Sequence, residues 1–375
     1  MYENRHSIMS NHNIIYKIAL VGDCLAGGGA EKVHALLSIY FQKAGLKVHN
    51  CIFGNQISYD YAGSLLNLGI VNSDSNVIKR KFCRFYKFNK FIKNNNFDVV
   101  IDFRMRTNFG LEWAISKFVY PKNTFYTVHS GILEFYFPKN AFLSGLIYKN
   151  RNIVAVSKSI QKAVVDNKLA QNSSHIYNPI DCKSIDLLKN KFGVVEEKYI
   201  LGVGRMNDGV KQFDKLILAY SKSNLPKQNI KLLLLGDGIL QIKYIQLAKS
   251  LNLEDKIVFK GLVENPFPYY QKSLFMVLCS KNEGFPNVIL ESLATETPVI
   301  SFDCFTGPKE IIIDKYNGLL VEDQQWDKLI QAMNLLVNDE KLYQRCKQNA
   351  KQSVLQFDIE RIGEHWLEFL KKAVR

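Results

Sequence analysis

Short apolar runs, each ending in glycine or a polar turn, recur along this chain with amphipathic stretches between them. Residues 16–22 (YKIALVG), 48–53, 97–103 (FDVVIDF), 124–129 (TFYTVH) and 152–157 (NIVAVS) are of strand length. They are apolar almost throughout rather than alternating, the pattern of parallel strands buried on both faces. The rhythm resumes at residues 199–204 (YILGVG) and continues through 230–236 (IKLLLLG), 257–261 (IVFKG), 274–280 (LFMVLCS) and 297–302 (TPVISF). Helical stretches at 31–43 and 158–166 separate the early runs, and residues 325–374 are helical by period. Strands alternating with helices predict an α/β fold with parallel sheets. A polar stretch at 187–197 interrupts the alternation and predicts a linker between two halves.

Composition fits that division. A chain of 375 residues with 47% hydrophobic content is long enough to bury two cores. The seven cysteines form no C-x-x-C pair, which argues for reduced thiols in a cytoplasmic setting and against a zinc site. No apolar run approaches the roughly 18 residues of a membrane span. Residues 1–13 (MYENRHSIMSNHN) lack the apolar core of a signal peptide and read as a disordered tail.

Charge separates the halves. The net charge is +14, with 24 Lys+Arg against 12 Asp+Glu in residues 1–190 and 25 against 23 beyond them. A basic half beside a near-neutral one implies an anionic partner for the former. Much of the excess lies in residues 77–93 (VIKRKFCRFYKFNKFIK), where seven basic residues interleave with aromatics. Ile78, Phe82, Phe85 and Ile92 recur at helical spacing, predicting a basic amphipathic helix. Such a helix suits peripheral contact with an anionic membrane, or is an ordinary surface helix with solvated charges.

Three places carry candidate chemistry. After the first strand comes DCLAGGGAEKV, whose Gly28 and Gly29 open a helix and allow close backbone approach to a phosphate. The spacing is not that of a dinucleotide fingerprint, and the second strand lacks the acid that holds a nicotinamide ribose, which counts against that cofactor. His129 stands at the carboxyl end of a predicted parallel strand, where open α/β sheets place ligands. The third place is residues 283–291 (EGFPNVILE), where Glu283 and Glu291 flank Gly284, Phe285, Pro286, Asn287 and Val288. Proline suits a first helical turn. The reading is a loop bearing Glu283, a helix starting near Pro286, and Glu291 one to two turns inside it. Free N–H groups at Asn287 and Val288 would then meet an anion, with an acid on either side of it.

This segment resembles the E-x7-E motif of the family-four retaining glycosyltransferases (glycosyl transferases group 1), which have the GT-B fold. Further similarities run from about residue 17 to 366. They include Arg205 and Lys211 in GRMNDGVKQF, the Asn178-Pro179 turn, residues 307–310 (GPKE) and 317–321 (NGLLV). The resemblance implies two Rossmann-like domains facing each other across a cleft. An acceptor-binding domain would span 14–190, a nucleotide-sugar-binding domain 191–355, and a helix at 356–375 would cross back to the first. It implies that Glu283 lies by the donor sugar and Glu291 binds the nucleotide ribose. Arg205 and Lys211 would hold the diphosphate, Gly28 and Gly29 would face it, Leu262 would line the base pocket, and His129 would sit at the reaction centre. Gly284, Phe285, Asn287 and Val288 complete the implied donor site.

No Asp-x-Asp occurs in the chain, so by this resemblance Arg205, Lys211 and helix N-termini take the place of a metal, and no cofactor is implied. The expected activity is transfer of a sugar with retention of configuration, from a UDP-hexose or UDP-N-acetylhexosamine to a glycan or a polyprenyl-diphosphate-linked glycan. The expected setting is bacterial surface polysaccharide assembly at the inner face of the cytoplasmic membrane. A GDP-mannose-dependent mannosyltransferase is the alternative within the class. A GT-B epimerase or phosphorylase shares the architecture. A nucleic-acid-binding protein would explain the basic half but not the acid pair with Arg205 and Lys211, so nucleic acid is not expected as a partner.

Overall fold

A computed structural model describes residues 15–70, 77–191 and 197–373. The tail read at 1–13, and residues 192–196 of the linker expected at 187–197, lie outside the described residues. The first half holds β1 (Lys17–Gly22), β2 (Lys47–Ile52), β3 (Ser64–Asn67), β4 (Val99–Asp102), β5 (Thr124–Val128), β6 (Asn152–Ala155) and β7 (Asn172–His175). They form one sheet in the order β3-β2-β1-β4-β5-β6-β7. The second half holds β8 (Tyr199–Val203), β9 (Lys231–Leu235), β10 (Ile257–Gly261), β11 (Met276–Leu278), β12 (Val299–Asp303) and β13 (Gly318–Glu322). Its order is β10-β9-β8-β11-β12-β13.

Every pairing in both sheets is parallel. Parallel strands need helices on both faces, which is why the central strands are apolar throughout: Ile18, Ala19, Leu20 and Val21 of β1 are all inaccessible to solvent. Strand order reverses between β1 and β4 and again between β8 and β11. A crevice opens at such a switch point, beyond the carboxyl ends of the strands. Three strands escaped the sequence reading: β13 (GLLVE), whose segment was noted only for its resemblance, and β3 (SLLN) and β7 (NSSH). All three are edge strands; β3 and β7 have four residues each and β7 is wholly polar, while β13 offers only the three apolar residues Leu319, Leu320 and Val321.

The helix Ile359–Ala373 joins the first half. Ile362, Trp366 and Leu370, at helical spacing, are buried with Ile18 and Leu20 of β1 and with Val33 and Leu37 of the helix Gly29–Lys43. Contact is close: a Cβ at Gly363 would come within 2.4 Å of the Tyr40 ring. Two segments therefore pass between the halves, and they are bonded side by side. Ile180 N–H donates to the Phe357 carbonyl at 2.9 Å, and Ile359 N–H donates to Ile180 at 2.8 Å. Nearby, the Glu310 carboxylate of the second half accepts from the N–H groups of Lys158 (2.9 Å) and Ser159 (3.0 Å) and from the Ser159 hydroxyl (2.8 Å). It thereby satisfies free donors at the N-terminus of the helix Lys158–Asp166, where negative charge is favoured.

The helix predicted from residue 77 runs Val77–Asn95, and only part of its apolar spacing meets the core. Phe88 and Ile92 are buried, whereas Ile78, Phe82 and Tyr86 are exposed. Of the predicted spacing, Ile92 is buried and Phe85 is half-buried against the core, so the apolar stripe meets the core only from the middle of the helix onward.

Trp366→Ala is expected to destabilise the protein by about 3–5 kcal/mol, the range for removing a large aromatic side chain from a core. Equilibrium urea unfolding checks this. A loss below about 1 kcal/mol would show that the last helix is not part of the first half's core.

Candidate active site

In the second half, the sheet's reversal point brings two loops together. The loop after β8 carries Arg205 and Lys211; the loop after β11 carries Glu283. They are aligned by the bond from Lys281 N–H to the Val210 carbonyl (2.9 Å) and by Gln212 Nε2 donating to the Cys279 carbonyl (2.7 Å). Lys211 Nζ then meets Glu283 Oε1 at 2.6 Å, with both side chains largely buried. Pro286 precedes the helix Asn287–Ala294, so the expected start is observed. Its first residues, Asn287 and Val288, stand before the first intrahelical bond and leave their N–H groups free for an anion. Glu291 lies in the second turn and is 7% exposed. Arg205 is exposed, and among the described residues it has no ion-pair partner.

The first half supplies the opposite wall. Gly28 precedes the helix Gly29–Lys43, which begins two residues earlier than the sequence indicated. Lys32, in its first turn, reaches across and places Nζ 2.5 Å from Glu291 Oε1, above the Phe267 ring. Tyr270 donates its hydroxyl to Glu291 Oε2 at 3.0 Å. Burial, with the Glu291 charge beside it, pushes the Tyr270 phenol well above its usual range, so it remains a donor. Asn178 Nδ2 bonds both the Phe285 carbonyl and Asn287 Oδ1 at 3.0 Å, and Asn287 Nδ2 donates to the Gly29 carbonyl at 3.2 Å. The glycine-rich turn is thus tied directly to the start of the acid-bearing helix.

His129 follows β5 and meets the Glu283 loop through its backbone. A Cβ at Gly284 would stand 2.0 Å from the His129 carbonyl oxygen, so only glycine permits this approach. The Glu283 carbonyl accepts from Gly131 N–H at 3.2 Å and from the Thr306 hydroxyl. The imidazole itself lies against Phe103, with ring centroids 5.8 Å apart. Burial, with Arg106 nearby, pushes its pKa down to about 3, so the ring is neutral in use. Asp23 and Glu31, beside the glycine turn, are both raised from the ordinary carboxylate range, chiefly by burial. Arg205 is close enough to oppose that shift at Glu31.

Most of the residues read from the sequence therefore meet at one place: Gly28, Gly29, His129, Arg205, Lys211, Glu283, Gly284, Asn287, Val288 and Glu291. Two are placed differently. The Phe285 side chain is buried, stacked on Tyr177 with centroids 4.8 Å apart and packed on Phe357, so it joins the two halves. Leu262 follows β10 and is 83% exposed, with no protein group covering it. Lys32, Tyr270 and Asn178 were not anticipated. All three reach the site through tertiary contacts that have no local signature. Among the described residues, no group of three or more His, Cys, Asp or Glu stands close enough to hold a metal ion, and no helix is long and apolar enough to cross a membrane.

Comparison with known proteins fits this arrangement. Residues 184–353 match a family model described as glycosyl transferases group 1. A Campylobacter jejuni protein named N-acetylgalactosamine-N,N'-diacetylbacillosaminyl-diphospho-undecaprenol 4-alpha-N-acetylgalactosaminyltransferase is 29% identical over 372 residues, spanning 92% of this chain and 97% of that relative. A second protein of that organism, named as an alpha-1,4-N-acetyl-D-galactosaminyltransferase of a diNAcBac-PP-undecaprenol glycan, is 30% identical over 300 residues. The match spans 79% of this chain and 80% of the relative. Among solved structures, a glycosyltransferase from Rickettsia africae superposes with a TM-score of 0.76 at 19% identity, covering 96% of this chain and 99% of the other. An Anabaena protein solved with UDP-glucose gives a TM-score of 0.74 at 18% identity, covering 95% and 99%. The two-sheet architecture is the GT-B fold.

Proposed function

The chain belongs to the glycosyl transferases group 1 family and is a glycosyltransferase; from that premise we propose that it moves a sugar from a UDP-sugar to a lipid-linked glycan with retention of configuration. The observation that carries the reading is the paired arrangement Lys211–Glu283 and Lys32–Glu291 around the free start of one helix, with Arg205 exposed beside it. A nucleotide-sugar has the matching layout, sugar hydroxyls then diphosphate then ribose hydroxyls.

In this reading the diphosphate lies between the Gly28–Gly29 backbone, Arg205, Lys211 and the N–H groups of Asn287 and Val288. Glu283 accepts hydroxyls of the donor sugar, and Glu291 accepts those of the ribose. The base rests against the loop that begins at Leu262. His129, neutral, accepts a hydrogen bond from the donor sugar. The acceptor hydroxyl attacks the anomeric carbon from the face that the phosphate leaves. The new carbon–oxygen bond forms as the bond to phosphate breaks, and the acceptor proton passes to the departing phosphate oxygen. Arg205 and Lys211 offset the charge that builds on the diphosphate, so no metal is required. UDP is preferred to GDP, and an N-acetylhexosamine or hexose is the sugar, a reading that the names of the Campylobacter relatives support for the sugar. The setting is bacterial surface polysaccharide assembly on the inner face of the cytoplasmic membrane.

The acceptor's lipid brings the first half to a membrane. The helix Val77–Asn95 exposes Ile78, Phe82 and Tyr86 at i, i+4, i+8, with exposed Lys81 and Lys87 alongside. Trp113, Phe118 and Phe142 are also exposed on helices of this half. Apolar groups among basic ones suit an anionic lipid surface, where each cation contributes about 1 kcal/mol.

Two measurements check these proposals. In EDTA throughout, calorimetry should show that the wild type prefers UDP over 2′,3′-dideoxy-UDP by about tenfold or more, the scale of hydrogen bonds to a charged group. Glu291→Ala should abolish the preference, while Glu283→Ala should retain UDP affinity and lose sugar transfer. Discrimination that survives Glu291→Ala removes the ribose assignment, and transfer that needs added Mn²⁺ or Mg²⁺ contradicts the metal-free mechanism. Separately, a Lys81→Ser/Phe82→Ser/Lys87→Ser protein should no longer sediment with anionic liposomes at physiological salt but still transfer to a short soluble acceptor. Undiminished sedimentation means that this helix is only a solvated face.

A further inference from the structure

The ring of His129 is held by a hydroxyl chain that decides which nitrogen carries its proton. Thr127 lies in β5 and is 1% exposed. Its Oγ1 donates to the Asp102 carbonyl of the neighbouring strand β4 at 2.9 Å. A hydroxyl has one proton, and a carbonyl can only accept. His129 Nε2 lies 3.0 Å from the same Thr127 oxygen. With the hydroxyl proton committed to Asp102, Nε2 must be the donor in that contact.

A second observation points the same way. His129 Nδ1 is buried and has no hydrogen-bond partner among the described residues. A buried N–H without a partner is rarer in folded proteins than an acceptor with spare capacity. The ring is neutral, because burial and the Arg106 guanidinium both oppose a second proton. Arg106 is itself fixed, donating to the carbonyls of Arg104 (3.0 Å) and Thr127 (2.9 Å). It therefore buttresses the strand that positions Thr127.

We propose that Thr127 is a positioning residue that fixes His129 as the Nε2–H tautomer and so reserves its Nδ1 lone pair as the acceptor for a donor-sugar hydroxyl. The final clause rests on the glycosyl-transfer reading above; the tautomer does not. The role parallels that of a carboxylate or carbonyl which orients a histidine elsewhere, with a neutral hydroxyl supplying an acceptor instead. The Asp102 carbonyl is what makes that hydroxyl an acceptor toward the ring.

Long-range ¹H–¹⁵N correlation of the histidine ring protons reads the tautomer directly, with the His129 signals assigned by their loss in His129→Gln. The wild type and Thr127→Ser should show His129 wholly as Nε2–H. Thr127→Val, which has nearly the same shape, should show the Nδ1–H form or exchange between the two. In parallel, kcat/KM for the sugar donor should fall about tenfold in Thr127→Val, the scale of one lost hydrogen bond. It should recover in Thr127→Ser, with affinity for the free nucleoside diphosphate unchanged in both. An Nδ1–H wild type, or an unaltered tautomer in Thr127→Val, overturns the positioning role. A switched tautomer with unchanged kcat/KM overturns the acceptor role of Nδ1. Because the spectra need no donor, they decide the tautomer even if no sugar transfer is found.

Discussion

The site depends on one ion pair that crosses the molecule, Lys32 with Glu291. Glu291 is nearly inaccessible, and a buried carboxylate without a partner is costly. Its own half supplies the Tyr270 hydroxyl, but the opposite charge comes from the other half. The pair therefore fixes where the glycine turn sits relative to the acid-bearing helix. Asn178 and Asn287 hold the same register through neutral bonds, and Gly284 lets the His129 backbone close against the loop. Weaken the crossing contact and each of these must adjust, because they share the few residues between 283 and 291.

The charges in the site are already matched without a ligand. Glu283 and Glu291 each have a lysine, and Arg205 beside them has no ion-pair partner among the described residues. A diphosphate arriving beside Arg205 and Lys211 would share cations already in place rather than draw them from solvent, which keeps the reorganisation small. In the proposed reading this is why no metal is needed. It also explains why the lysines sit on carboxylates that must still accept sugar hydroxyls: a carboxylate has capacity for several bonds, and one lysine does not exhaust it.

Much of this was legible in the sequence because parallel strands buried on both faces write themselves as apolar runs. The central strands of both sheets followed from that alone, whereas the roles given to Arg205, Lys211 and the turns at the strands' carboxyl ends came from the resemblance. The helix start at Asn287 followed from proline and from the free N–H groups that follow it. What stayed hidden was tertiary. The edge strands β3 and β7 are too short and too polar to carry a periodic signal, and β13 has only three apolar residues in a row. Lys32 and Tyr270 are ordinary residues until folding brings them to Glu291. Phe285 is apolar beside a functional loop, and only the structure shows that it is spent on packing against Tyr177. The helix Val77–Asn95 has Phe85 and Ile92 of its apolar spacing against the core and Ile78 and Phe82 exposed, since periodicity gives a stripe but not how far the core extends beneath it.

The central claim is that a nucleotide-sugar lies across the cleft, on the loops after β8 and β11 and against the glycine turn of the other half. Amide hydrogen exchange, with and without saturating UDP, tests it most directly. The account predicts slowed exchange at residues 204–212 and 284–291 together with 27–33, from opposite halves of the chain, and little change in the outer strands. Slowing in only one of the halves, or none at these segments with UDP or with GDP, would contradict it.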